Sequence, residues 1–512
     1  MQQNKEAYSG QTWRSRTLIA ALFLMVFASK LVLLNAFASP LPFWDQWDAE
    51  AANLYKPYLD GSLSWQALFA SHNEHRIIIP RLLALVLFEL AGQWDPVLQM
   101  IVNAALHAAF AAAMFGFLIR VVDQGRYMAL FAFTATTFII PIGWENMMSG
   151  FQSQFYFLLL FSLSSLYLFV SARAFSRQWA LGLAMSILAY FSMSSGALTV
   201  AAAVPVLVFQ IVVGVRARRP AEFVSIAVLA TIAAVMIALV TEVVGHESLK
   251  AHNVLELAAA MISLSALPLA TIVGSVVVQF PLFWLVGASY QQKPAPNEIV
   301  WLLLGLAVWV GMQMLSLSVG RAAIVMSSRY LDLLTVGYPV SMAALFMLCA
   351  SPKTHPKMAV VPAIWACIIM TSLVGVGYLA GWPRVLERHA ITEAQQNNVA
   401  AYFETKDMDV LTSAPFMHIP YPDPQRLAYL LNDPTIGATL YSSIRPADAD
   451  TQTMLGHTLL RGKFSELIAV IRKGLLLIGP ALFAIGFGMA FLVACWPLRP
   501  IKYPEAESSK AS

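Results

Sequence analysis

Two acidic residues each follow a tryptophan in a segment that reads FWDQWDAE. Asp45 and Asp48 are three positions apart, so a helical turn would place both carboxylates on one face. A carboxylate beside aromatic rings can act as a general base or help to hold a metal ion near a sugar. Burial against tryptophan would raise its pKa and suit it to base chemistry near neutral pH. The alternative is an interfacial loop, in which the tryptophans anchor at headgroup depth and the acids only contact water.

A dense polar cluster, SHNEHR, follows in the same segment and directly precedes an apolar stretch. Arg76 is suited to bind a phosphate, and Glu74 or His75 to orient an acceptor. His72 and His75 have a spacing that metal ligands use, but no zinc signature completes them, so we assign no metal-binding residue. The alternative is that these residues only cap the N-terminus of a helix.

Two further polar turns, GWENMMSGFQ and MSSRYLD, interrupt apolar stretches. Glu145 and Asn146 end one stretch, Gln152 begins the next, and Arg329 and Tyr330 stand before a later one. Polar groups at membrane depth cost free energy unless they line a cavity, and an arginine there needs an acid or a lipid phosphate as partner. We therefore predict that these residues bind substrate. The alternatives are hydrogen bonds between neighbouring helices and a local ion pair within one helix.

The elements that must position these residues are transmembrane helices. Of the 512 residues, 59% are hydrophobic and 12% are charged, whereas a soluble domain has about 25% charged residues. One crossing takes about 20 apolar residues. We predict an all-α polytopic membrane bundle of about twelve spans (11–13). The predicted spans are 17–38, 97–119, 127–142, 155–170, 179–193, 197–215, 224–244, 257–286, 300–319, 331–350, 359–380 and 474–496.

The basic residues predict the orientation of the bundle. Lys and Arg are enriched in cytoplasmic loops, and every basic cluster falls on the same side if the short apolar stretch 77–91 does not cross. We predict that this stretch is an amphipathic helix on the outer leaflet and that both termini are cytoplasmic. The net charge of +4 then reflects topology, and no nucleic-acid partner is expected. If 77–91 did cross, every later loop would change sides.

This topology divides the chain into four parts. Residues 1–380 form the bundle with a catalytic first outer loop at 39–92, and residues 381–466 form a small outer domain or ordered loop. Residues 467–498 form the last span, and 499–512 form a disordered cytoplasmic tail. The polar residues cluster at one face, which favours an enzyme over a transporter, since transporters place charges at mid-membrane.

Three segments of this layout resemble the GT-C superfamily of membrane glycosyltransferases. DQWD at 45–48 is similar to the acidic motif of their first outer loop, and SHNEHRIIIPRL to the His/Pro stretch before a short helix. RVVDQGRYMALFAFTATTFIIP is similar to their inner basic turn and next span. The resemblance covers roughly the first third of the chain, and the remaining motifs indicate a bacterial subgroup. The chain lacks a WWDYG-like motif and its first outer loop lacks a plain DxD, so a requirement for a divalent cation, Mg²⁺ or Mn²⁺, stays open.

The resemblance implies transfer of a hexosyl or pentosyl group from a polyprenyl-phosphate donor. The acceptor would be a lipid or a cell-envelope glycan at the outer face of a bacterial plasma membrane. Asp45 or Asp48 would be the base, and Arg329, with Arg76, would bind the phosphate. The other candidates would hold the substrates. The alternatives are a polysaccharide polymerase or ligase, a transporter or flippase of lipid-linked glycans, and a non-catalytic assembly protein.

Overall fold

The computed structural model describes residues 2–350 and 355–496, with side chains from residue 12 onwards. This part of the chain folds into helices and contains no strand, apart from one isolated bridge between His72 and His75. The predicted all-α class is therefore confirmed for this part of the chain. The predicted tail at 499–512 lies outside the described residues.

Ten of the described helical segments are long and apolar enough to cross a membrane. Their apolar windows hold at most two charged residues each, which is what a segment in contact with lipid requires. The ten segments are Thr12–Phe37, Pro96–Val121, Gly150–Ser171, Ser194–Val212, Pro220–Ala238, Ile272–Gln292, Val300–Gly320, Ser328–Cys349, Pro356–Thr405 and Ser465–Cys495.

Two of the predicted spans form shorter helices. Tyr127–Ile139 has 13 residues and Arg177–Tyr190 has 14, which is fewer than the roughly 20 that a straight crossing needs. Pro141 follows the first of these helices and cannot donate the next helical hydrogen bond. The count of twelve crossings therefore stays a prediction.

A third predicted span, 257–286, is wrong as a single helix. The structure has two helices, Val254–Ala266 and Ile272–Gln292, separated by five residues that include Pro268. Proline removes a backbone donor and disfavours the helical conformation of the preceding residue, so it interrupts the helix at this point.

The first and the last long helices pack against each other in opposite directions. Arg14 Nη2 donates a hydrogen bond to the carbonyl oxygen of Val493 over 3.3 Å. Further along the pair, a Cβ at Gly486 would lie 2.8 Å from Met25 Cγ, so the absence of a side chain allows the close approach. Both ends of the described chain therefore lie at the same end of the bundle.

The opposite end carries a structure that we call the cap, formed by residues 39–95 and 382–464. Trp47, Trp94 and Tyr402 are at most 2% exposed and belong to one hydrophobic cluster, so the two segments pack as a unit. The larger helices of the cap are the π-helix Trp47–Tyr55 and the α-helices Ile78–Ala91, Trp382–Thr405 and Pro424–Leu431.

The helix Ile78–Ala91 stays within the cap. Near its start, Ile79 N donates to the carbonyl oxygen of Phe191 over 3.2 Å. Near its end, Glu89 accepts hydrogen bonds from the backbone N–H groups of Leu459 and Leu460, at 3.0 and 2.8 Å. Because both ends contact segments at the cap end, this geometry agrees with the predicted non-crossing helix. The side of the membrane on which it lies stays a prediction.

Basic side chains close loops at the end opposite the cap. Arg126 donates to the carbonyl oxygen of Phe346 over 2.5 Å. Arg216 pairs with Glu222 at 2.9 Å and donates to the carbonyl oxygen of Ala172 at 2.8 Å. The basic loops and the cap therefore occupy opposite ends of the bundle.

The predicted boundary at residue 380 falls inside one continuous helical segment. Val361–Val376 continues through the π-helix Gly377–Gly381 into Trp382–Thr405. A continuous helix therefore connects the apolar bundle to the cap.

Candidate functional site

A cavity of about 190 Å³ lies between the cap and the bundle. We call it the site cavity. It combines aromatic rings with two acids and two arginines, and such a combination of apolar walls with a few polar groups is typical of ligand-binding sites. Its lining residues are Phe43, Trp44, Asp45, Trp144, Glu145, Met148, Ser149, Phe151, Gln152, Arg329, Arg388 and Met417.

Asp45 is aimed into the site cavity by the residue before it. Trp44 has a φ of +50°, in the left-handed region that bulky residues seldom adopt. Its backbone N–H donates to the carbonyl oxygen of Pro420 over 2.8 Å, which offsets part of this strain. The Asp45 side chain remains 41% exposed, so it is accessible to a ligand.

His72 is the nearest basic partner of Asp45, with 3.6 Å between Nε2 and Oδ1. A tight turn positions it, in which His72 and His75 exchange backbone hydrogen bonds of 2.8 and 3.0 Å. Asn73 supplies the positive φ of +50° that this turn needs, a conformation that asparagine tolerates better than most residues. Burial alone would raise the pKa of Asp45, but the contact with His72 and the charge of Arg329 hold it below its ordinary value.

Asp48 lies outside the lining of the site cavity and has other partners. Arg426 donates to one carboxylate oxygen from Nη2 at 2.8 Å and from Nε at 3.2 Å, and the Tyr421 hydroxyl donates to the other oxygen. The expectation that Asp45 and Asp48 share one helical face is therefore wrong. A π-helix begins at Trp47, and its wider turn no longer places residues three apart on one face as an α-helix does.

Glu145 is held by the segment that carries Arg329. It accepts hydrogen bonds from the hydroxyls of Ser327 and Ser328, both at 2.8 Å, and from the backbone N–H of Arg329 at 3.0 Å. Its other oxygen lies 3.6 Å from Arg329 Nη2. Burial would raise the pKa of Glu145, but the charge of Arg329 and the two hydroxyl groups lower it below its ordinary value.

Asn146 joins the segment of Glu145 to the segment of Arg329 by hydrogen bonds. It is fully buried, and its Nδ2 donates to the carbonyl oxygen of Arg329 at 2.8 Å and to Asp332 Oδ2 at 2.9 Å. Gly143 leaves the space for that carboxylate, since a Cβ there would lie 2.2 Å from Asp332 Oδ1. Asn146 therefore positions the site, and it does not line the cavity.

Glu74 forms a separate network at the edge of the cap. It lies 2.5 Å from His246 Nδ1 and 2.6 Å from Arg321 Nη2. Its own backbone carbonyl oxygen accepts a hydrogen bond from Ser194 Oγ. Glu74 therefore joins loops that are far apart in the sequence, and it does not line the cavity.

Three other predicted substrate-binding residues also lie outside the cavity lining. Burial lowers the pKa of His75 to about 4, so this side chain is neutral at pH 7. Arg76 donates to the carbonyl oxygen of Phe69 at 3.1 Å, and Tyr330 is 7% exposed. Of the predicted residues, Asp45, Glu145, Gln152 and Arg329 line the site cavity.

Sequence reasoning missed Arg388. Its guanidinium carbon lies 3.6 Å from the centroid of the Phe43 ring, and the residue is only 8% exposed. A signal was present, because Arg388 shares helical spacing with the buried residues Val385, Val399 and Tyr402 on one helix. Arginine is seldom buried without a partner, so its position among buried residues of a helix indicates a specific role.

Glu50 is a buried acid that connects the cap segment 39–95 to the bundle. Glu50 accepts hydrogen bonds from Gln46 Nε2 at 3.0 Å, Trp94 Nε1 at 2.8 Å and Gln99 Nε2 at 3.0 Å. Burial raises the pKa of Glu50, although these three donors oppose the shift. Gln46, which lies next to Asp45 in the chain, is thereby fixed in place.

Among the described residues, no group of three or more His, Cys, Asp or Glu side chains is arranged to hold a metal ion. A requirement for Mg²⁺ or Mn²⁺ stays open.

No protein-family model, no curated protein and no solved structure matches this chain.

Proposed function

We propose that the protein transfers a sugar from a polyprenyl-phosphate donor to a hydroxyl group of a lipid or cell-envelope glycan at the outer face of the membrane. One observation carries this proposal. Asp45, an accessible carboxylate, faces the same cavity as two arginines, at the junction between an apolar bundle and a polar cap. A base opposite a cationic phosphate site is what such a displacement requires.

The proposed reaction is a single displacement. The acceptor hydroxyl loses its proton to the Asp45 carboxylate while its oxygen attacks the anomeric carbon of the donor, with inversion. The bond between that carbon and the phosphate oxygen breaks, and the electron pair stays on the phosphate. Because the leaving group is a polyprenyl phosphate, a weakly basic phosphomonoester anion, arginine can stabilise it without a general acid. Trp144, which also lines the cavity, supplies an aromatic ring against which a sugar can pack.

The direct test is a transfer assay with purified full-length protein and polyprenyl-phosphate sugars. Asp45→Asn should lower kcat by roughly 10²- to 10⁴-fold, the usual contribution of a general base. Asp48→Asn should retain most of the activity, because Asp48 pairs with Arg426 outside the cavity. Asp448→Asn, at an exposed position of the cap, is the matched control.

Full transfer by Asp45→Asn would exclude Asp45 as the base. Loss of transfer in Asp48→Asn with full activity in Asp45→Asn would assign the base to the other carboxylate. No transfer by the wild type with any polyprenyl-phosphate sugar would count against the donor class.

Transport of a lipid-linked glycan is the second candidate, and one observation favours it. Lys30 and His107 are 6% and 2% exposed between helices of the bundle, and the charge of Asp332 acts on Lys30. Ionisable groups inside a bundle are a feature of transporters. Movement of a labelled lipid-linked sugar across proteoliposome membranes without transfer to an acceptor would favour this alternative.

A further inference from the structure

The two arginines of the site cavity differ in how far their charge is already balanced. Arg329 Nη2 lies 3.6 Å from Glu145, and Arg329 Nε donates to Ser327 Oγ over 3.2 Å. Glu145 also accepts the backbone N–H of Arg329. The negative charge of Glu145 therefore offsets much of the positive charge of Arg329, which weakens the attraction of Arg329 for an anionic ligand.

Arg388 is in the opposite situation. A guanidinium group has five N–H donors, and among the described residues the one hydrogen bond of the Arg388 guanidinium runs from Nη1 to Gln395 Oε1 at 3.3 Å. Within the same part of the chain, no carboxylate oxygen lies within ion-pair distance of it. The charge of Glu145 reaches Arg388, but the direct contacts of that carboxylate go to Arg329 and two serines.

The surroundings of Arg388 fix its direction without neutralising it. The face of its guanidinium lies on the Phe43 ring, which leaves the edge with its N–H groups free for an in-plane ligand. Arg388 lines both the site cavity and a narrow recess beside it. A buried arginine that is held in one orientation and has no acidic partner can bind an anion through charge-assisted hydrogen bonds.

The height of Arg388 along its helix suits the phosphate of a lipid. Tyr378 and Leu379, on the same continuous helix, are 71% and 76% exposed, as expected for side chains in contact with lipid. Arg388 is nine residues beyond Leu379, which is about 14 Å along a helix that rises 1.5 Å per residue. Arg388 is therefore close to the part of this helix that a lipid chain can contact, so a lipid bound there can bring its phosphate to the site cavity.

We infer that Arg388, and not Arg329, is the main anion-binding residue of the site cavity, and that it holds the phosphate of a membrane lipid. The inference rests on the proposed function for its substrate class, since a polyprenyl phosphate is the lipid concerned. Arg329 then acts mainly as a positioning residue that orders Glu145 and the serines beside it.

The test is native mass spectrometry of the full-length protein in detergent with undecaprenyl phosphate, and with undecaprenol as the phosphate-free probe. The wild type should retain the phosphate and not the alcohol. Arg388→Gln should bind the phosphate roughly tenfold more weakly or worse, because one charge-assisted contact is lost. Arg329→Gln should have a smaller effect. Arg384→Gln is the matched control, because Arg384 lies one turn earlier on the same helix and is 63% exposed.

Unchanged binding by Arg388→Gln, or a larger loss in Arg329→Gln, would overturn the inference. Thermal unfolding shows whether each variant is folded. If Arg388→Gln is not folded, Arg388→Lys decides, because lysine keeps the charge but lacks the planar fork. Weaker binding by the lysine variant supports the inference, and unchanged binding overturns it.

Two outcomes separate this inference from the proposed function. If undecaprenyl phosphate binds equally well without Arg388, the anion site is wrong while the donor class stands. If the wild type binds phosphatidylglycerol but not undecaprenyl phosphate, and Arg388→Gln abolishes that binding, the anion site stands while the donor class is wrong.

Discussion

Asp45 differs from the other acids of the cap in what surrounds it. Glu50, Glu74 and Asp48 are each held by two or three donors of the protein itself. Within the described part of the chain, the one ion pair of Asp45 is with His72 at 3.6 Å, and Asp45 remains accessible from the cavity. A carboxylate with free acceptor positions can accept a proton from a ligand. A carboxylate whose acceptor positions are filled by hydrogen bonds from the protein mainly stabilises the fold.

At the residue scale, His72 should set the pH dependence of activity. Burial alone would raise the pKa of Asp45, and the contact with His72 opposes this effect. In His72→Gln the pKa of Asp45 should therefore rise. Because the base must be ionised, the acid limb of the kcat/KM profile should move to higher pH. His457→Gln, at an exposed position, should leave the profile unchanged. If the acid limb does not move in His72→Gln, ionisation of Asp45 does not control the activity.

Two short segments form the floor of the site at the element scale. The turn at 143–146 and the start of the helix Ser328–Thr335 are joined by hydrogen bonds from Asn146 and to Glu145. The segments are more than 180 residues apart in the chain, so only the packing of their helices brings them together. A change in one segment should therefore displace the other.

Gly143→Ala tests this coupling. The added Cβ would lie 2.2 Å from Asp332 Oδ1, in a fully packed region, so either the carboxylate or the turn must move. We expect a loss of about 1–3 kcal/mol in stability, typical of overpacking, and reduced transfer activity. Thermal unfolding in detergent measures the first effect.

Gly311→Ala is the control for that substitution, because a Cβ at Gly311 meets no atom within 4 Å and the site lies within a long helix. It should be neutral or slightly stabilising. Equal stability of Gly143→Ala and the wild type would show that the floor tolerates the displacement of Asp332.

At the scale of the whole molecule, the basic loops and the cap occupy opposite ends of the bundle. The positive-inside rule then predicts that the cap is extracytoplasmic. In a variant without the native cysteines Cys349, Cys367 and Cys495, a membrane-impermeant thiol reagent should label Ser62→Cys in intact cells. Asp123→Cys should react only after permeabilisation, since both positions are exposed but lie at opposite ends. Labelling of Asp123→Cys alone in intact cells would place the cap in the cytoplasm.

Patterns of composition and charge accounted for the class of fold and for the separation of the polar segments from the basic loops. These properties are summed over many residues, so a single local error does not change them. The break at Pro268 and the short helix ending before Pro141 were also readable in principle, because proline acts on its own neighbours. The apolar stretches continue through both positions, so hydropathy alone does not reveal these breaks.

The sequence by itself determined that this chain is a helical membrane bundle and that acids, arginines and aromatic residues collect at one end of it. Only the tertiary structure decided which of them face the same cavity. Asp48 turned out to pair with Arg426, which is 378 positions away, and Arg388 joined the cavity from a helix beyond the predicted spans. The physical reason is that hydrophobicity acts through the average of a segment. The role of a charged side chain depends instead on the direction in which its own Cα–Cβ bond points. It also depends on its charged partner, which tertiary packing brings from a distant part of the sequence.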